Sequence, residues 1–385
     1  MPQLPAGWEE TTLGEVAIIN PTEYIKKGEV AKNIPMDFLD NFTRKISKYT
    51  EKEFSWGMKF RNWDTLFARI TPCLENGKTA YVDILDDWEI AFWSTEYIVI
   101  REKKERSNSM FLYYLSVSPF FRDIAIKAMT GTSWRQRVQT DVLVNTKLHL
   151  PPLPEQQAIA AVLSSFDDKI ELLRAENQTL EQMGQELFKE RFGKWKIGDD
   201  LPEGWRVGKL GEIIKFIKGK KPKAVSDSYK EGWIPQVLIE TLDGWISLFA
   251  DPEKSILLNS GEIVMVMDGA SSGRCEIGFS WVLWSTLGKI DVNPSLKLMV
   301  YALLKNKFKE INGGTTGSSI PHTDKNKICD FDFIIPTKEI LYDFNKVYWN
   351  SIEKILSNRK QIQTLSATRD LLLPKLMSGE VRVEF

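Results

Sequence analysis

Leu4-Pro5-Ala6-Gly7-Trp8, with Leu13-Gly14-Glu15 behind it, returns far along the chain as Leu201-Pro202-Glu203-Gly204-Trp205 with Leu210-Gly211-Glu212. The spacing is identical, and chance does not account for so many shared Trp, Gly and Pro positions. Self-similarity of this kind decides the architecture before any local motif does. The echo continues in order. Leu66-Phe67-Ala68-Arg69-Ile70, with a turn ending at Gly77-Lys78, returns as Ile263-Val264-Met265-Val266-Met267 with a turn ending at Gly273-Arg274. Trp93-Ser94-Thr95 returns as Trp284-Ser285-Thr286, and Tyr114, Phe121 and Ile124 return as Tyr301, Phe308 and Ile311. Gly131-Thr132-Ser133 is matched to Gly317-Ser318-Ser319, and Thr140-Asp141 to Thr323-Asp324. The offset shrinks along the chain, so the second copy is the shorter.

Each copy reads as α+β. Short strands alternate apolar and polar residues, as at 97–100 and 331–335. Amphipathic helices follow at 110–129 and 296–311. Each copy closes on proline, Pro151-Pro152 in the first and Pro336 in the second. Proline there ends a strand and can open a helix.

A long helix is predicted after each copy, over 155–192 and 338–377. In the first, Ile159, Leu163, Phe166, Ile170, Leu173, Leu180 and Leu187 form a heptad seam interrupted by Asn177 and Gly184. In the second, Phe344, Tyr348, Ile352, Ile355, Ile362, Leu365, Leu372 and Leu376 make the stripe; Arg359 and Arg369 interrupt it. Pro374 should kink or end this helix. Helices much longer than the usual 11–12 residues need long partners, and each is the natural partner of the other. The expected fold is therefore two tandem pseudo-repeated α+β domains, each followed by a long helix, with the helices paired as an antiparallel coiled coil. Asn177 either fixes the register of that pair or is solvated.

The 385 residues suit two or three domains. With 43% apolar and 27% charged residues the composition is that of an ordinary globular protein. No apolar run is long enough for a bilayer, and residues 1–10 lack a signal-peptide pattern, so a cytoplasmic location without membrane contact is expected. Cys73, Cys275 and Cys329 are widely separated and read as reduced thiols. A net charge of −1 argues mildly against a nucleic-acid partner. Any such site must be a local basic surface.

A search for catalytic chemistry finds little. His149 and His322 have no neighbours at metal-ligand spacing and read as structural. Gly77-Lys78-Thr79 lacks the glycine five residues earlier and is followed by a strand pattern, so it is not a nucleotide loop. No dinucleotide fingerprint and no Asn/Asp-Pro-Pro-aromatic methyltransferase motif is present. Glu102-Lys103-Lys104 belongs to a charge run that reads as a solvated turn. Neither a metal nor a cofactor is expected on this chain.

Basic residues do cluster in loops. Lys218, Lys220, Lys221 and Lys223 occupy a Gly/Pro-broken segment, and Lys59 and Arg61 flank aromatics. Arg135, Gln136 and Arg137 follow the Gly131 loop. Arg and Gln suit guanine and adenine edges, and Lys suits phosphates. The turn Gly269-Ala270-Ser271-Ser272-Gly273-Arg274 could cradle a phosphate or be an ordinary turn. Arg69, Lys78, Ser271, Ser272, Arg274, Ser318 and Ser319 complete the nucleic-acid candidates.

Together these residues resemble a known family. Leu150-Pro151-Pro152-Leu153-Pro154-Glu155-Gln156-Gln157, opening a long helix, is similar to the junction between recognition domain and helix in specificity subunits of type I restriction–modification systems. Leu371-Leu372-Leu373-Pro374-Lys375-Leu376-Met377-Ser378-Gly379-Glu380 resembles the family's ending, and the two Leu-Pro-x-Gly-Trp segments its domain starts. The stretch from Phe67 to Lys78 is also family-like. Ile335-Pro336-Thr337-Lys338-Glu339 departs from the Glu-Gln-Gln junction, which leaves the start of the second helix open by a few residues.

The resemblance implies target-recognition domains at 1–153 and 196–336, with spacer helices at 154–195 and 337–385. It implies a non-catalytic subunit that reads a split, asymmetric double-stranded DNA sequence, one half per domain. Two modification subunits, which use S-adenosylmethionine, would dock on it, and restriction subunits, which use ATP and Mg, would join later. Three other readings remain: a methyltransferase or nuclease acting alone, a stand-alone DNA-binding regulator or decoy, and a coiled-coil scaffold with unrelated heads.

Overall fold

The computed structural model describes residues 4–132, 135–239, 242, 248–316 and 321–384. Packing divides the chain into two units, Met1–Glu171 with Leu365–Phe385, and Leu172–Thr364. The division cuts through both long helices, so each unit holds the start of one and the end of the other.

In the first unit a four-stranded antiparallel sheet has the order Ala17–Ile19, Tyr97–Glu102, Thr65–Ala68, Thr79–Tyr81. In the second the order is Ile214–Lys218, Leu287–Val292, Ile263–Val266, Cys275–Ile277. The third strand of each is buried along its whole length. A continuous apolar run is what a strand covered on both faces requires. One face packs on helices Ser109–Val117 and Pro119–Lys127 in the first unit, or Lys297–Asn306 and Phe308–Gly313 in the second. The other face packs on a second small sheet, which in both units contains one parallel pair among antiparallel ones. The repeat read in the sequence is thus a repeat of topology.

Backbone hydrogen bonds correct the alignment in more than one place. Val138 N–H donates to the Arg69 carbonyl at 2.9 Å, and Thr323 N–H donates to the Met267 carbonyl at 2.8 Å. Thr71 N–H donates to Gln136 O at 3.0 Å, and Gly269 N–H to Pro321 O at 2.8 Å. Thr323 therefore corresponds to Val138, and the match of Thr140-Asp141 with Thr323-Asp324 is two residues out; Arg69 likewise corresponds to Met267, so the match of 66–70 with 263–267 is one residue out. The shared Thr-Asp pair misled because the two short helices, Thr140–Val144 and Lys325–Cys329, are capped differently. Asp324 caps the second with its side chain, whereas Gln139 precedes the first without a side-chain cap. In the corrected register His322 corresponds to Arg137.

The long helices run Leu153–Phe192 and Lys338–Ser378. Both begin three residues after the end of an edge strand, at Leu150 or Ile335, so the departure at Ile335 to Glu339 does not displace the second helix. It changes how the helix start is held. In the first unit Glu155 is buried, accepts from Trp8 Nε1 at 3.0 Å and pairs with Arg382. Buried Gln156 donates to the carbonyls of Arg106 and Pro151 and accepts from Asn108 N–H. Buried polar groups need such complete pairing. In the second unit the same places fall to Ile340 and Leu341, which pack into the core instead. Gly7 and Gly204 turn with φ of +82° and +79°, and bring the Trp segments against Pro152 and Thr337. Only glycine adopts such φ values without strain.

The helix ends pair antiparallel in each unit. In the first, Ile159 and Leu163 share a core with Leu373 and Leu376, and buried Asp167 pairs with Arg369. In the second, Phe188 meets Phe344 with ring centroids 6.4 Å apart, and Asn358 Nδ2 donates to Asn177 Oδ1 at 3.0 Å. Of the seam, Ile159, Leu163, Ile170, Leu173, Ile352, Ile355 and Ile362 are buried; Phe166, Leu180, Leu187, Leu365 and Leu372 are half-buried. Near the end of the second helix burial moves from Leu372 to Leu373, as the drift of a 3.6-residue turn against a seven-residue repeat produces. The helix continues through Pro374 to Ser378, so the proline does not end it. Burial of Leu373 and Leu376 on either side outweighs the hydrogen bond that proline removes. Arg359 and Arg369 interrupt the apolar stripe because each serves a buried acid, Glu276 and Asp167. Among the described residues no helix is long and apolar enough to cross a membrane.

Candidate nucleic-acid interface

In the first unit, buried strand Thr65–Ala68 delivers a turn at Arg69 to Lys78, and the loop ending at Gln136 closes over it. Gln136 N–H also donates to Thr71 Oγ1 at 3.1 Å. This closure places Arg137 beside Glu96. Arg137 Nε and Nη2 donate to the Glu96 carboxylate at 2.6–3.0 Å, while Nη1 makes only a 3.5 Å contact to the Arg135 carbonyl. Hydrogen bonding to Glu96 raises the pKa of Arg137 further, so its charge is permanent.

The same closure in the second unit brings His322 to Asp268. His322 Nδ1 lies 2.7 Å from Asp268 Oδ1, and Lys218 Nζ lies 3.3 Å from Asp268 Oδ2. Gly219 N–H donates to the Leu287 carbonyl and Lys220 N–H to the Leu283 carbonyl, which ties the basic segment to this corner. Lys220, Lys221 and Lys223 are exposed, and Lys221 Nζ lies 5.9 Å from the Trp284 ring.

The other candidates fall in different places. Arg135 is exposed on the closing loop. Arg69 Nη2 donates to the Val138 carbonyl and Lys78 Nζ to the Met36 carbonyl, so both are tied down. Lys59 lies over the Phe54 ring at 4.9 Å. Ser272 is buried, and its hydroxyl donates to the carbonyls of Gly269 and Pro321. Ser271 is half-buried, and Arg274 pairs with Glu276. These bonds give Ser272 and Arg274 partners within the fold. Arg61 pairs with Glu23 at 2.6 Å and lines a cleft of ≈ 500 Å³ with Asp64, Asp86, Asp87 and Glu89. Carboxylates outnumber cations there, which disfavours phosphate. Ser318 and Ser319 lie outside the described residues.

His322 and Asp268 were not among the nucleic-acid candidates; His322 read as structural. The misaligned Thr-Asp pair set His322 opposite Gln139; the hydrogen-bonded register sets it opposite Arg137, already a candidate. Among the described residues no cluster of His, Cys, Asp and Glu has the geometry of a metal site.

Two units of one topology, each with a polar corner made by the same loop closure on different side chains, define a tandem two-domain protein. The family model of the type I restriction modification DNA specificity domain matches residues 5–182 and 202–366, and the chain belongs to that family. It is similar to the type I restriction enzyme MjaIX specificity subunit of Methanocaldococcus jannaschii, 30% identical over 311 residues, spanning 73% of this chain and 71% of that one. It is also similar to the type I restriction enzyme HindI specificity subunit of Haemophilus influenzae, 23% identical and spanning 83% and 86% of the two chains. Among solved structures, the type I restriction-modification system S subunit from M. genitalium matches with a TM-score of 0.55 and 16% identity over 98% and 97% of the chains. At that identity the likeness speaks for the fold.

Proposed function

We propose that this chain is the DNA-recognition subunit of a type I restriction–modification complex and carries out no chemistry itself. Each unit reads one half of a bipartite, asymmetric double-stranded target. The paired helices fix the unread gap between the halves and dock two modification subunits. Those partners bind S-adenosylmethionine and methylate adenine; restriction subunits using ATP and Mg complete the complex, which works in the cytoplasm. The observation that supports this most is the duplicated corner. One topology presents Arg137 on Glu96 in one unit and His322 with Lys218 on Asp268 in the other. Equal scaffolds with unequal side chains suit two unequal half-sites. Partner subunits supply further phosphate contacts, which accommodates a net charge of −1.

The test is co-expression with the cognate modification subunit, followed by mapping methyl-adenine across the host genome. A split motif with a fixed gap, absent when this chain is omitted, is the expected result. No chain-dependent methylation alongside a folded, bound modification subunit would overturn the role.

A further inference from the structure

We infer that His322 reads a base edge in the second half-site and is the positional counterpart of Arg137 in the first. The inference rests on the DNA-recognition role and names the side chains that carry it out.

Base readers need a fixed orientation, which a supporting hydrogen bond supplies. Arg137 has that support. Glu96 takes Nε and one side of Nη2, so the guanidinium plane is held and its Nη1–Nη2 edge is left for another acceptor pair. That edge matches the O6 and N7 acceptors of guanine in the major groove. The side chain is 37% exposed, so the edge is reachable.

His322 has the same support from a different acid. A carboxylate at 2.7 Å requires Nδ1 to be the donor. Nε2 is then the outward polar atom of a ring that is 51% exposed. It accepts when the ring is neutral, which suits the amino group of adenine or cytosine, and donates when the ring is charged, which suits guanine. Backbone pairing fixes the position independently of the side chain, because His322 bridges both Asp268 and Thr316 while Arg137 bridges Ile70. The groups facing His322 are Asp268 and, through it, Lys218. A ring needed only for packing would be buried; this one is held by its near nitrogen, Nδ1, and left open.

The experiment uses the co-expressed modification complex and duplexes carrying single base-pair substitutions at every position of both half-sites. Discrimination is the ratio of affinities for cognate and substituted duplex. His322→Ala and His322→Gln should each lower discrimination about ten-fold or more at one position of the second half-site, with the first unchanged. Arg137→Ala should do the reverse. The exposed ring makes His322→Gln compatible with folding, and co-purification with the modification subunit checks it. Unchanged discrimination throughout the second half-site in both His322 variants would overturn the assignment. A wild-type complex with no sequence preference would overturn the recognition role and this assignment with it.

Discussion

The ring of Tyr348 lies against the backbone of Gly184, where a Cβ on Gly184 would come within 2.0 Å of Tyr348 Cε2. The seam glycine is therefore a socket for a fully buried tyrosine on the opposing helix. Gly184→Ala gains helix propensity worth about 1 kcal/mol, but overpacking costs about 1–3 kcal/mol. The variant should unfold at lower temperature than wild type, and a higher midpoint would contradict the packing described.

Asn177 and Asn358 form the polar layer of the same pair. Asn358 is buried and donates to both Asn177 Oδ1 and Glu176 Oε2. The register reading of Asn177 is thus the one the structure supports. Asn358→Leu alone removes two hydrogen bonds and should cost about 1–2 kcal/mol. Replacing both residues by Leu should recover or exceed wild-type stability while loosening the register. A double-mutant cycle with additive effects would show that the two side chains do not interact.

Arg61 and the exposed lysines should separate cleanly. Arg61→Ala removes one guanidinium from Glu23, whose carboxyl burial pushes up in pKa but Arg101 and Arg61 together pull below the usual range. Stability should fall and DNA discrimination should stay. Lys220→Ala, Lys221→Ala and Lys223→Ala should weaken binding evenly across sequences, each reducing the salt slope by about 0.9 if it meets a phosphate. Titrations at several salt concentrations distinguish these outcomes from the sequence-specific loss assigned to His322.

Glu276 makes the second unit acid-sensitive. Burial pushes its carboxyl up, and Lys305, Arg359 and Arg274 overcome this to hold it at about 2. The folded value lies below the ordinary 4.5, so the unfolded chain binds the proton more readily. The stabilisation is complete above pH of about 4.5 and is lost as pH falls towards 2. Glu276→Gln should flatten the stability profile across that window and lower stability at neutral pH. An unchanged slope would place the acid response elsewhere.

The spacer role predicts a change in gap. Four residues along each helix from the Asn177–Asn358 contact, Leu173 faces the position of Ile362. A heptad inserted after Leu173 should lengthen the unread gap by about 10 Å, or about three base pairs, with both half-sites intact. A matching heptad after Ile362 keeps the inserted turns paired and should give the same longer gap. Methylation at the original gap by the double insertion would rule out the rod.

The repeat, the α+β character of each copy, the two long helices and most of their seam are legible in the residues alone. These follow from local patterns: turn glycines, buried apolar strands and heptad spacing persist whatever lies opposite. Tertiary structure decided what depends on distant partners. Arg359 and Arg369 looked like flaws in a stripe until Glu276 and Asp167 were found beneath them. Arg61 looked like a free cation until Glu23 met it. His322 has no neighbour at metal-ligand spacing in the sequence, and only the fold brings Asp268 against its ring. A side chain's type is written in the chain, but its freedom to act depends on which charges and carbonyls the fold brings within about 3 Å of it.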